Sequence, residues 1–314
     1  MIVVLSGGTG GAKFVQGLAA VAAARELTVV VNTGDDLTWW GLHVSPDLDS
    51  VTYALAGLLS RERGWGVEGD TFHCLEAMRR MSAPAWFQLG DRDLATHLRR
   101  TELLDQGRTL SEATSEIVRE LGVEARILPM SDQRVETRVL TAEGELSFQE
   151  YFVRDRYQPV VQQVRFADAE QAGPAPGVLE AIAKAEAIVI APSNPVTSIG
   201  PILAVPGIRE ALAKTAAPVA AISPIVAGAA VSGPAGELMK SQRLPVSIAG
   251  VARCYADFLD LLVADEQDAG FGASSAGVAV RYTETLMKTE ADKARLAHSV
   301  LRFLRERPIE AAAS

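Results

Sequence analysis

Residues 1–14 read MIVVLSGGTGGAKF, and residues 28–31 read TVVV. Ile2–Leu5 is a short run of branched apolar residues, the pattern of a strand buried on both faces. The glycines Gly7, Gly8, Gly10 and Gly11 follow. AKFVQGLAAVAAA then sets Phe14, Leu18, Val21 and Ala22 at helical spacing. Strand, glycine turn, helix and strand within about 30 residues make a βαβ unit. The sheet is therefore expected to be parallel, with right-handed crossovers.

Working outward, residues 50–85 read as mostly helical with a break at 64–69, and residues 91–121 as helical again. ARILP (125–129) is a short strand. RVETRVLT (134–141) and ELSFQEYF (145–152), joined by Ala142-Glu143-Gly144, alternate as a β-hairpin. GPAPG (173–177) turns into a helix. AIVIA (187–191) and PVAAIS (218–223) are buried strands. Residues 289–306 make a last helix with Leu296, Val300, Phe303 and Leu304 on one side. The expectation is a single Rossmann-like α/β domain over 1–314, doubly wound and mostly parallel. It carries a helical insertion at about 50–125 and a hairpin insertion at 134–153.

The 314 residues are 48% hydrophobic, enough for a large core. Thirty basic and 39 acidic residues give a net charge of −9, with no basic run. That argues against a nucleic-acid partner. An acidic chain that handles phosphates must gather positive charge locally, often through a metal ion. Cys74 and Cys254 lie far apart and read as buried reduced thiols of a cytoplasmic protein. Met1 runs straight into a strand without a basic leader. No apolar stretch reaches the ~18 residues a membrane span needs.

Small residues after the first strand let a phosphate approach the backbone, and the next helix aims free N–H groups at it. Thr9 adds a hydroxyl and Lys13 a charge one turn on. The same glycines would also serve a tight turn with no ligand. A P-loop ends in Gly-Lys-Ser/Thr, whereas Ala12 precedes Lys13 here and Phe14 follows. A dinucleotide fingerprint needs a third glycine where Lys13 stands and an acid where the second strand ends in Asn32.

NTGDDLTWWGLHVSPDLDS (32–50) leaves the second strand at the ligand end of a parallel sheet. Asp35, Asp36, Asp47 and Asp49 fall within it, flanking Trp39, Trp40 and His43. Carboxylates gathered beside a phosphate loop repel one another unless a cation lies between them, and Mg²⁺ suits that arrangement. Asp47 or Asp49 would otherwise cap the helix near Val51. LGDRDLATHLRRT (89–101) sets Asp93 and His97 at i, i+4, so that one orients the other. APSNPVTSIGPI (191–202) offers Ser193, Asn194, Thr197 and Ser198 at the sheet's ligand end. SPIVAGAAVSGPAGELM (223–239) is a glycine-rich loop after the next strand.

SGGTGGAK, NTGDD, SPDLDS, LGDRDLATHL, LPMSD, APSNPVTSIGPI and SPIVAG occur in this order between Met1 and about Gly250. In this combination the chain resembles the 2-phospho-L-lactate transferase family of coenzyme F-420 biosynthesis. The resemblance implies a Rossmann-like fold, a homodimer and an Mg²⁺-dependent reaction. The donor is a guanosine diphospho-activated three-carbon acid, carrying a lactyl, enolpyruvyl or glyceryl group. The acceptor is Fo, 7,8-didemethyl-8-hydroxy-5-deazariboflavin. The products are F-420-0 or its dehydro form and GMP. The acceptor-binding aspartate corresponds to Asp49. A second acceptor contact falls at Gln88, where relatives can carry Lys. The metal is expected on Asp35 and Asp49 with Asp36 close behind, and Asp49 and Asp36 are the expected catalytic carboxylates. The nucleotide is expected over Gly7–Gly11, with Thr9 and Lys13, and over the Ser193–Ser198 loop. A related family keeps the glycine loop but binds sugar nucleotides as a regulator; LTWWG followed by SPDLD favours the enzyme.

Overall fold

The computed structural model describes residues 1–269 and 278–306; the end of the expected 1–314 domain lies outside the described residues. In chain order, β1 (Ile2–Ser6) leads through α1 (Gly8–Val21) to β2 (Leu27–Val31). A small hairpin follows, β3 (Leu37–Trp39) and β4 (Leu42–Val44). Next come α2 (Pro46–Leu55), α3 (His73–Arg80), α4 (Asp93–Asp105), α5 (Leu110–Glu120) and β5 (Arg126–Pro129). Strands β6 (Glu136–Thr141), β7 (Gly144–Ser147) and β8 (Val161–Ala167) are followed by α6 (Val178–Lys184), β9 (Ala187–Ile190), α7 (Gly200–Ala204), α8 (Ile208–Lys214) and β10 (Val219–Ile222). A short pair, β11 (Ile225–Val226) and β12 (Ala229–Ala230), precedes α9 (Ala235–Ser241) and α10 (Ile248–Cys254). Strands β13 (Leu261–Asp265) and β14 (Ala279–Thr283) and helix α11 (Glu290–Arg305) close the described chain.

Seven strands form one sheet in the order β14-β13-β10-β9-β1-β2-β5, and every pairing in it is parallel. The chain builds outward from β1 through β2 to β5, then returns to β9 beside β1 and builds the other way. In such a sheet the crevice beyond the carboxyl ends, where the order reverses, is the place for a ligand.

Alternate residues of each strand feed opposite faces. Val3, Leu5, Ile188 and Ile190 face one core with helices α6, α7, α8 and α10. Val4, Val29, Val31 and Val189 face the other with α1, α2, α5 and α11. Both faces are covered, so the strands are apolar throughout. Helix α1 crosses α11 at Gly17: a Cβ there would lie 2.4 Å from the carbonyl oxygen of Lys293. Ala is ordinarily the better helix former by ~1 kcal/mol, but overpacking a backbone contact costs ~1–3 kcal/mol. Gly17→Ala should therefore lower the melting temperature, read by calorimetry; a temperature at or above that of the wild type would mean that α11 slides aside freely.

The expected hairpin supplies two strands, β6 and β7, of a three-stranded sheet in the order β7-β6-β8. Its second arm stops at Ser147, because Ser147 N–H donates to Glu150 Oε2 at 2.9 Å and Glu150 N–H to Ser147 Oγ at 3.3 Å. That reciprocal capping box turns Glu150–Arg154 into a short helical turn. Cys74, expected to be buried, is exposed at the start of α3, and Cys254 is half-buried. Among the described residues no helix is long and apolar enough to cross a membrane.

Candidate active site

Four loops meet beyond the carboxyl ends of β1, β2 and β9. Asn32, the first residue after β2, ties three of them together. Its Nδ2 donates to Asp35 Oδ2 at 3.1 Å, to Asp47 Oδ2 at 2.9 Å and to the Thr197 carbonyl at 3.3 Å, while its Oδ1 accepts from Gly34 N–H at 2.8 Å. The insertion docks on the same turn: Thr137 N–H donates to the Gly34 carbonyl at 2.7 Å, and Gln149 Nε2 to the Asp35 carbonyl at 3.3 Å.

The acidic cluster forms as expected. Asp35, Asp47 and Asp49 are buried, the last two in the first turn of α2. Half-buried Asp36 accepts from Ser45 Oγ at 2.7 Å and faces His43 Nε2 at 3.1 Å. Burial, then the charge of Asp47, holds the Asp35 carboxyl well above the usual range. Burial also raises Asp36, against the pull of His43. Burial pushes Asp47 up to about 6, against hydrogen bonds from Asn32 and the Gly8 N–H. These carboxyls are short of positive charge. Asp35 Oδ1, Asp36 Oδ1 and Thr33 Oγ1 are buried with no hydrogen-bond partner, which fits a hard cation. Among the described residues no three His, Cys, Asp or Glu side chains form a complete metal cage; Mg²⁺ takes one or two carboxylates and fills its shell with water and phosphate oxygens.

Asp49 is placed differently. Both of its oxygens lie in the guanidinium fork of Arg100: Nη1 donates to Oδ2 at 3.1 Å and Nη2 to Oδ1. Of the two carboxylates expected to hold metal, Asp35 keeps an open oxygen and Asp49 does not.

The glycine loop is shorter than its sequence suggests, since α1 begins at Gly8. A Cβ on Gly10 would lie 2.6 Å from the Pro192 carbonyl, and one on Gly11 2.7 Å from Ser193 Oγ. These glycines let α1 press against the loop after β9. Ser193 Oγ donates to the Gly7 carbonyl at 2.7 Å, and Asn194 Oδ1 accepts from Val196 N–H at 2.9 Å. Ser193 stitches two loops together, and Asn194 caps the turn of its own loop. Thr197 Oγ1 is buried without a partner. Ser198 Oγ would lie 3.4 Å from a Cβ on Gly8, whose φ is +67°. The Gly8 N–H is taken by Asp47, whereas the next first-turn amides of α1, those of Thr9 and Gly10, are available to an anion. The Lys13 side chain lies beside Gly64, with Cε 3.8 Å from where a Cβ on that glycine would be. Gln88 is exposed, next to Phe87, which packs with Trp39 and Trp86.

In the 89–101 stretch, Asp91 caps α3 by accepting from His73 and Cys74 N–H at 3.0 and 2.9 Å. The expected Asp93–His97 pair is present, Oδ1 to Nε2 at 3.3 Å, and it faces inward.

The family model described as 2-phospho-L-lactate transferase CofD matches residues 2–306. The chain belongs to the 2-phospho-L-lactate transferase family. It is 43% identical to a 2-phospho-L-lactate transferase of Methanosarcina mazei over 96% of this chain and 99% of that one. It is 45% identical to a phosphoenolpyruvate transferase of Streptomyces griseus over 97% of this chain and 98% of that one. A solved structure of a Bacillus halodurans protein of the UPF0052 family shares the fold, with a TM-score of 0.65 at 18% identity over 96% of this chain and 98% of that one. In this member of the transferase family, sequence reading missed Tyr53 and the roles of Asn32 and Arg100. Asn32 had one signal, an amide at the end of an otherwise apolar strand.

The raised Asp47 carboxyl makes a testable contribution to stability. A carboxyl raised in the folded state favours folding while it is protonated. That contribution is complete below the unfolded value near 3.8 and is lost as pH rises through about 6. Asn keeps the contact with Asn32 without the charge. Asp47→Asn should therefore stabilise the metal-free protein by ~1–3 kcal/mol at pH 8 and by little at pH 4. Melting curves across that range check this; a gain that is the same at both ends would rule out the titration of Asp47 as its source.

Proposed function

We propose that this chain transfers a phospho-three-carbon-acid group from a guanosine diphospho donor to the ribityl hydroxyl of Fo, releasing GMP. The whole-length match to transferases of this class carries the reading; the geometry supplies its parts. The Thr9 and Gly10 amides in the first turn of α1 support a diphosphate at the switch-point crevice. Asp49, gripped by the Arg100 fork, has lone pairs beyond those the fork uses and accepts a hydrogen bond from the attacking hydroxyl. That contact aims the oxygen at phosphorus, and alignment is most of what such a transfer asks of a protein.

The open oxygens of Asp35 and Asp36 are the groups we assign to Mg²⁺. When bound, the ion would neutralise diphosphate charge. The burial of Asp35 keeps bulk water from competing for those oxygens.

The relatives carry two donor names at nearly equal identity, so the acid is left to experiment. Pure protein is incubated with Fo, Mg²⁺ and each of the lactyl, enolpyruvyl and glyceryl guanosine donors, and products are identified by mass. One donor should give an adduct of Fo together with GMP. Binding of UDP-sugars with no consumption of Fo would point to the regulator reading instead.

A further inference from the structure

Two helices carry the groups around Asp49 on facing surfaces. On α2, Asp49 and Tyr53 are four residues apart. On α4, Asp93, His97 and Arg100 follow at steps of four and three. Such spacings place side chains on one helical face. The faces are joined twice: Arg100 grips Asp49, and Tyr53 OH donates to Asp93 Oδ1 at 2.7 Å. His97 lies between the two joints, with Nε2 3.3 Å from Asp93 Oδ1 and Nδ1 3.6 Å from Asp49 Oδ2. Asp49, Tyr53, Asp93, His97 and Arg100 are all buried.

Stability alone does not account for this set. A buried ion pair replaced by apolar residues of similar volume is often neutral or stabilising. Two packed helices could be joined by leucines at less cost. What the charged set supplies is direction: a carboxylate on a helix has two free torsions, and a two-pronged fork fixes both. The fork is steadied in turn, with Arg100 Nη1 3.5 Å from the His43 carbonyl and 3.4 Å from His97 Nδ1.

We propose that Arg100, backed by His97, is a positioning residue for the acceptor: it holds the Asp49 carboxylate aimed into the crevice. The inference rests on the reading of Asp49 as the group that meets the acceptor hydroxyl. It predicts an effect confined to the acceptor. Arg100→Gln leaves Asp49 free to rotate, and misplacement of a binding group by about 1 Å is worth ~10²-fold in rate. The expected result is a fall of that size in kcat/KM for the deazaflavin acceptor with the KM of the guanosine donor within about threefold of wild type. Arg100→Lys keeps the charge but not the fork, so it should recover only part of the loss.

The experiment measures both KM values and, separately, acceptor binding by equilibrium dialysis per mole of folded protein. A merely structural role would reduce the folded fraction, lowering kcat with both KM values unchanged, and would leave binding per folded molecule intact. That outcome overturns the proposal, as does Arg100→Gln that binds acceptor within twofold of wild type. If Arg100 variants do not fold, His97→Asn decides. A loss of acceptor binding of ~10-fold supports positioning, and unchanged binding refutes it. Wild-type protein that neither binds nor consumes the acceptor would instead defeat the functional reading itself.

Discussion

Asp49→Asn is expected to lower transfer to Fo by at least ~10²-fold, the scale of removing one electrostatic contact from a reacting site. Asn keeps the size of the side chain and one acceptor oxygen. It loses the charge that matches the Arg100 fork, and its amide turns donors toward that fork. Orphaning a buried charge typically costs ~3–5 kcal/mol. Here the penalty is moderated, because Asp36 also faces Arg100 and Asp35 and Asp47 leave the cluster rich in negative charge. With ordinary domain stabilities of ~5–15 kcal/mol, the variant should remain folded. Were Asp49 only a first-turn helix residue, Asn would serve about as well as Asp, and both turnover and melting temperature would stay near wild type. Initial rates with Fo varied at saturating donor, beside circular dichroism melts, separate the cases. Wild-type turnover in the folded variant would falsify the assignment of Asp49 to the acceptor.

What the sequence made legible follows from punctuation. The strands β1, β2, β5, β9 and β10 are short apolar runs bounded by glycine, proline or a polar turn, so each announces its own ends. LLVAD at β13 is marked less plainly: Asp260 alone parts it from Phe258 and Leu259, with no glycine or proline before it. The β3–β4 hairpin is hidden for another reason. Its two-residue turn is Trp40-Gly41, with φ of +52° and +82°, the primed geometry that Asn-Gly usually signals. Trp has no preference for that conformation, so only the folded chain reveals it. In the site, the four aspartates were readable because they crowd within one loop. Their division of labour was not. It depends on Arg100, 51 residues beyond Asp49, and on which oxygens remain unpaired once α2 and α4 pack. The glycines carry a second reason that the sequence did not show: close packing against Pro192 and Ser193 by itself requires Gly10 and Gly11.

Removing divalent ions should abolish turnover, and Mg²⁺ should restore it. Asp35, Asp36, Asp47 and Asp49 share one buried guanidinium, that of Arg100, with the imidazoles of His97, buried beside Asp49, and of His43, partly exposed. With the pair Asp49–Arg100 closed, the other three carboxyls are all raised. A hard cation binds their ionised forms, so its uptake must release protons. Mg²⁺ affinity is therefore expected to tighten as pH rises from 6 to 8, the direction in which these carboxyls lose their protons. A second readout needs no substrate. Ligand that binds only the folded state stabilises it by ~2.7 kcal/mol at one hundred times its dissociation constant, so Mg²⁺ should raise the melting temperature at pH 8 and do so less at pH 6. The shift should vanish in Asp35→Asn, which removes the open oxygen's charge and leaves Asn32 and Asp47 joined. Full turnover after exhaustive chelation would exclude a metal requirement. A thermal shift that survives in Asp35→Asn would move the cation away from the turn after β2, because no other change in that variant removes a charged oxygen from the crevice.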